Sequence, residues 1–103
     1  MPRHPDTQTP DPGLLILASL ASGPKHGYAI TRDVHAFAGV TLGPGTLYGA
    51  ITRLEGRGLI QAVESTDRRR PYRLTGDGRD LLRSQLSVLE RLTSTALGRL
   101  ASV

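Results

Sequence analysis

The stretch LGPGTLYGAITRLEGRGL at 42–59 limits the fold more than any other part of the chain. Wound at about 100° per residue, it predicts a helix over 44–57 with two unlike faces. Leu47, Ala50, Ile51 and Leu54 fall on one side at helical spacing and can be buried. Gly45, Gly49, Thr52 and Gly56 fall on the other, flanked by Tyr48 and Arg53. A glycine inside a helix costs about 1 kcal/mol relative to alanine. A stripe of them needs a reason, and the usual one is close approach of something bulky to the backbone.

The segments around this helix supply its context. GLLILASLAS at 13–22 predicts a first helix, with Asp11 as N-cap and Pro12 at the first helical position. It is apolar nearly all round: Leu14, Leu17, Ala18 and Ala21 lie on one side, and Leu15, Ile16 and Leu20 fill much of the rest. Such a helix must be covered on more than one side. One cover is the domain's own core, and the other is expected to be a second subunit. Gly23-Pro24 stops this helix. A second helix over 26–38 carries Ile30, Val34 and Phe37 at i, i+4 and i+7, with Gly39 placed to close it. Tyr28 reads as a packing residue. Pro44 opens the next helix, where its missing N–H costs nothing, and Gly58 ends it. Helix, short turn and helix in this order make a helix-turn-helix pattern.

Beyond it the period changes. LIQAVES at 59–65 and PYRLT at 71–75 read as two short strands, with Tyr72 and Leu74 inward and Arg73 outward. TDRRR at 66–70 lies between them, so the hairpin is a wing with a basic tip. Thr75 is then an N-cap for a last helix over 77–101, with Asp77 and Asp80 near its positive end. Leu82, Leu86, Leu89, Thr93, Ala96, Leu100 and Val103 keep a 4-3 rhythm, widened by Leu81, Val88 and Leu92. Roughly 25 residues give a rod of ~37 Å, longer than a three-helix body can cover. A second copy is the simplest partner for the excess.

Composition narrows the class. The chain has 103 residues, one domain's worth, and a formal charge of 13 − 9 = +4. Lys25 is its sole lysine, so twelve of the thirteen basic residues are arginine, the side chain suited to bidentate contact with phosphates and bases. A basic domain points to an anionic partner, although a solvated basic surface gives the same charge. There is no cysteine, hence no disulfide or thiolate chemistry. No apolar run spans a bilayer and 1–12 lacks the apolar middle of a secretory signal, so an intracellular, cytoplasmic protein without a membrane role is expected. His4, His26 and His35 are too scattered for a metal site and read as surface or capping groups. No nucleophile–base pair, phosphate-binding loop or cofactor motif is present, so an enzyme is not expected.

The sequence resembles the PadR family of bacterial transcriptional regulators. GPKHGYAI at 23–30, LGPGTLYGAITRLEGRGLI at 42–60 and RRRPYRLTGDG at 68–78 carry the likeness. It resembles the short branch, in which one helix follows the winged helix-turn-helix. The resemblance implies a DNA-binding domain, a C-terminal dimerisation helix and repression of adjacent genes. It places Thr46 and Tyr48 at the DNA backbone or groove, and makes the wing of Arg68, Arg69 and Arg70 the variable basic element. It also implies a small-molecule effector for some members, held by aromatic side chains of the last helix. Here that helix has no Trp, Phe or Tyr.

The expectations are therefore these. The fold is mainly α with a small β-hairpin, divided into an arm at 1–11, a winged helix-turn-helix at 12–76 and a dimerisation helix at 77–103. DNA meets Gly45, Thr46, Tyr48, Gly49, Thr52, Arg53, Arg57, Arg68, Arg69 and Arg70, with helix 44–57 in the major groove and the 66–71 wing on the flanking backbone or minor groove. Leu15, Leu82, Leu86, Leu89, Leu92, Ala96 and Leu100 pair two copies on a palindromic operator. The function expected is that of a homodimeric repressor without a cofactor; the alternative is a winged-helix protein-interaction module that does not bind DNA.

Overall fold

The computed structural model describes residues 10–66 and 68–102. Most of the expected arm, together with Asp67 at the wing tip and Val103, lies outside the described residues. The elements run α1 (Pro12–Leu20), β1 (Lys25–His26), α2 (Gly27–Ala38), α3 (Pro44–Gly56), β2 (Ile60–Ala62), β3 (Pro71–Leu74) and α4 (Gly76–Ala101). This is a winged helix-turn-helix followed by a long helix.

α1 begins as its sequence directs. The Asp11 carboxylate accepts the Leu14 backbone N–H at 3.0 Å, and Pro12 stands in the first turn. It ends at Leu20, two residues short of the expected 13–22 segment. The helix is the centre of the core and packs against α2, α3, β3 and α4. Leu15, Ile16, Leu17 and Leu20 are all buried in the chain's own core. The second cover expected from a partner subunit is thus largely supplied from within, and Leu15 is taken up by the core rather than left for an interface.

A polar network ties the end of α1 to its neighbours. The buried Ser19 hydroxyl donates to Asp33 on α2 at 2.7 Å. Lys25 on β1 donates to the Ser19 carbonyl at 2.5 Å and to the Ser22 hydroxyl at 2.6 Å, with Asp33 4.0 Å away. Ser19 therefore enters the core with its hydrogen bonds made, which removes the cost of burying a bare hydroxyl.

α2 is capped by His26, whose Nδ1 accepts the Ala29 N–H at 3.4 Å, and is closed by Gly39 in the left-handed region at φ 68°. Ile30 and Val34 are fully buried, as their spacing requires. Phe37 is not: it is 51% exposed. Residues 35–39 are all exposed, so the last turn of α2 runs past the elements that cover Ile30 and Val34. In α3 the expected inward face holds, with Leu47, Ala50, Ile51 and Leu54 all buried.

The wing has one strand more than the hairpin expected. β3 lies between β1 and β2, antiparallel to both. β2 is confined to 60–62, shorter than the 59–65 reading, and the Val63 N–H adds one more rung to the Pro71 carbonyl at 2.9 Å. Tyr72 and Leu74 point into the core. Arg73 points outward, paired across the strands with Gln61, whose Oε1 accepts from Nη2 at 2.8 Å.

The joint between winged helix and α4 is tight. Thr75 caps α4 by accepting the Gly78 N–H at 3.0 Å, and its own hydroxyl donates to the Gly58 carbonyl at 2.7 Å. Its backbone N–H donates to the Leu59 carbonyl at 3.1 Å. Gly78 is buried where any Cβ would collide with that same Leu59 carbonyl. Past this joint α4 leaves the body. Leu82 still belongs to the core, so it too is lost to an interface, but Leu86, Val88, Leu89, Leu92, Leu97 and Leu100 are exposed. The 26-residue helix is ~39 Å long, and it raises the radius of gyration to 15.6 Å, against about 13 Å for a compact chain of this length. Among the described residues no helix is long and apolar enough to cross a membrane.

Gly78→Ala is expected to destabilise the fold by roughly 1–3 kcal/mol, because the obstacle is backbone and cannot swing aside. Urea unfolding measures this, and a melt unchanged from the parent would show that the joint is looser than its geometry indicates.

Candidate nucleic-acid interface

The outer face of α3 is built by omission. A Cβ built on Gly45 or Gly56 meets nothing within 4 Å, and one on Gly49 meets only Arg53 Nη1 at 3.6 Å, an ordinary contact. None of these glycines has positive φ. Neither packing nor backbone conformation within the chain therefore calls for glycine at any of them. Thr52 lies on the same face, exposed, with its hydroxyl donated to the Tyr48 carbonyl at 2.9 Å. That bond holds the hydroxyl down against the helix and keeps the face low.

The polar residues expected at the site fall on opposite flanks of this floor. Tyr48 is half exposed at 49% and lies on the wing side. There it lines a cleft of about 310 Å³ with His26, Gly27, Tyr28 and the wing residues Arg68, Arg69 and Arg70. Arg53 and Arg57 stand about 140° and 180° around the helix from Tyr48. They line a smaller groove of about 130 Å³ with Leu14 from α1 and Leu81 and Gln85 from α4. Thr46 is exposed on the first turn, on the Arg53 side. The expected set is therefore divided between the two flanks of α3 and is not brought into one cluster. A third groove, of about 440 Å³, runs between Leu14 of α1 and Val88 and Leu89 of α4 and is mainly apolar.

Tyr28 is the residue that sequence reasoning misses. Its place near the start of α2 suggests packing, yet it is 64% exposed, lines the wing-side cleft and carries the Arg32 guanidinium over its ring at 5.8 Å. The signal is its position two residues past Lys25-His26, which only the pairing of β1 with β3 turns toward the wing. Among the described residues no group of three His, Asp or Glu side chains could hold a metal ion.

The fold agrees with the comparisons. Residues 16–84 match the family described as transcriptional regulator PadR-like. The chain belongs to the PadR family of transcriptional regulators. It is 38% identical over 88 residues to transcriptional regulator Rv3488 of Mycobacterium tuberculosis, a match covering 82% of this chain and 81% of that protein. It is 44% identical over 86 residues to an uncharacterized 37.1 kDa protein in transposon Tn4556 of Streptomyces fradiae. That match covers 84% of this chain and spans only 25% of the relative's length. A solved transcriptional regulator from Clostridium thermocellum has the same fold, with a TM-score of 0.78 at 26% identity over 95% of this chain and 97% of that one. The high coverage of both chains means that the PadR winged helix and the long helix after it are shared together.

Gly49→Ala in this regulator is expected to raise stability, by up to about 1 kcal/mol, since alanine is the better helix former and space for the methyl exists. Thermal unfolding tests it; a loss of stability would mean that Gly49 serves the chain's own packing after all.

Proposed function

We propose that the protein is a homodimeric, sequence-specific DNA-binding repressor. The observation that carries this reading is the α3 face, paved with glycines that serve no packing or backbone need within the chain. A duplex is the partner that fits it. The major groove is about 12 Å wide and admits a helix, with a phosphate backbone running along each side. A low glycine floor lets α3 go deep, and the flanks meet the two strands: Tyr48 and the wing arginines one, Arg53 and Arg57 the other. With few side chains on the floor to read base edges, specificity rests more on backbone contact and DNA shape. The wing arginines suit phosphate or a narrow minor groove.

The exposed apolar length of α4 supports pairing of two copies through Leu86, Leu89, Leu92, Ala96 and Leu100, with Val88 and Leu97 beside them. A twofold dimer would present its two α3 helices about 34–36 Å apart, one turn of DNA, and would select a palindromic operator. Any small-molecule effector seated between the subunits would be gripped by aliphatic surface such as the Leu14–Val88–Leu89 groove, since α4 offers no aromatic ring.

Selection of bound duplexes from a random pool tests the whole reading, and is expected to return a sequence with twofold symmetry. Recovery of no enriched sequence at low ionic strength would reject it. Gly49→Leu should then abolish binding while the far-ultraviolet spectrum stays helical. The double variant Arg68→Ala/Arg70→Ala should lower the slope of log affinity against log salt by about 2, near 0.9 for each phosphate no longer neutralised. An unchanged slope removes the wing from the interface. Leu89→Arg with Leu92→Arg should give a folded monomer in sedimentation; a persisting dimer would assign the pairing elsewhere.

A further inference from the structure

Tyr48 leans off α3 onto the start of α2. A Cβ built on Gly27 would lie 2.5 Å from the tyrosine hydroxyl oxygen and 3.0 Å from its Cζ, both inside contact distance. Gly27 is buried and its φ is not positive, so what glycine supplies here is room rather than an unusual backbone. Gly27 and Tyr48 both line the cleft that Arg68, Arg69 and Arg70 also line. No acidic side chain lines that cleft among the described residues. The Ala29 N–H at the start of α2 is already taken by His26.

We propose that Gly27 is a positioning residue: by leaving room for Tyr48 to lie over the start of α2, it aims the Tyr48 hydroxyl at a phosphodiester of bound DNA that the wing arginines also attract. This rests on the DNA-binding reading above. A phosphodiester fits better than a base edge, because Tyr48 stands to the side of the glycine floor, between α3 and the wing. A strand bordering the major groove passes there, and base edges do not. A phenolic hydroxyl donates one hydrogen bond to a phosphate oxygen, and the guanidiniums supply the charge.

The test is a mutant cycle on the full chain, read by anisotropy with a labelled duplex carrying the selected site and by thermal unfolding. Tyr48→Phe should lower affinity roughly tenfold, as for loss of one bond to a charged group. It should leave the salt slope unchanged, because a neutral donor displaces no counterion. Gly27→Ala should lower affinity by a similar factor with Tyr48 present, and by less than about twofold in a Tyr48→Ala background. Should Gly27→Ala bind like the parent, or weaken binding equally in both backgrounds, the positioning role is wrong while the DNA reading stands. If no duplex binds the parent chain, it is the DNA reading that has failed. Where Gly27→Ala lowers stability, the same cycle is also read in the melting temperature. There Tyr48→Ala must restore the loss, and equal depression in both backgrounds overturns the proposal.

Discussion

Burial of α1 is the condition on which the remaining structure depends. Nine residues of nearly unbroken apolar character cannot face water on any broad side. The chain meets this by wrapping α2, α3, β3 and the first turns of α4 around them. Each fully buried aliphatic side chain there is worth about 1.5–3 kcal/mol, so α1 sets where its neighbours can sit. The consequence reaches the quaternary level. Once Leu15 and its neighbours are spent inside the chain, most of the exposed aliphatic surface belongs to α4 beyond Leu82.

The second constraint is the joint from α3 into α4. Gly58 turns the chain at φ 74°, and the Leu59 carbonyl accepts the Thr75 N–H while filling the space a side chain at Gly78 would need. Hydrogen bonds and close packing meet at the same few atoms, which fixes the start of α4 against the end of α3. In any assembly held through α4, the separation and tilt of two α3 helices follow from how the α4 helices pair.

The periodic elements were legible in the sequence. The inward face of α3, the caps at Asp11 and Thr75 and the alternation of Tyr72, Arg73 and Leu74 rest on local rules, and the structure keeps them. What escaped depends on packing between distant segments. β1 has two residues, too few to show any period, and exists only because β3 passes beside it. Tyr28 faces the wing for the same reason. Phe37 has the right spacing to be buried, but spacing says nothing about where the covering elements stop. Leu82 continues the α4 stripe without a break, and only the packing of the first turns separates it from the leucines that follow.

The glycines show how far such reasoning can be taken. Gly27, Gly49 and Gly78 are each inside a helix or its first turn. What a Cβ would meet divides them. At Gly78 it meets backbone, so the residue is demanded by the fold. At Gly27 it meets the tip of Tyr48, a side chain that could move, so the demand comes from where that tip has to be. At Gly49 it meets nothing that objects. A helix that carries glycines with no internal use gives up stability at those positions. In a chain of marginal stability, that deficit is retained where a partner outside the chain must fit against the bare backbone.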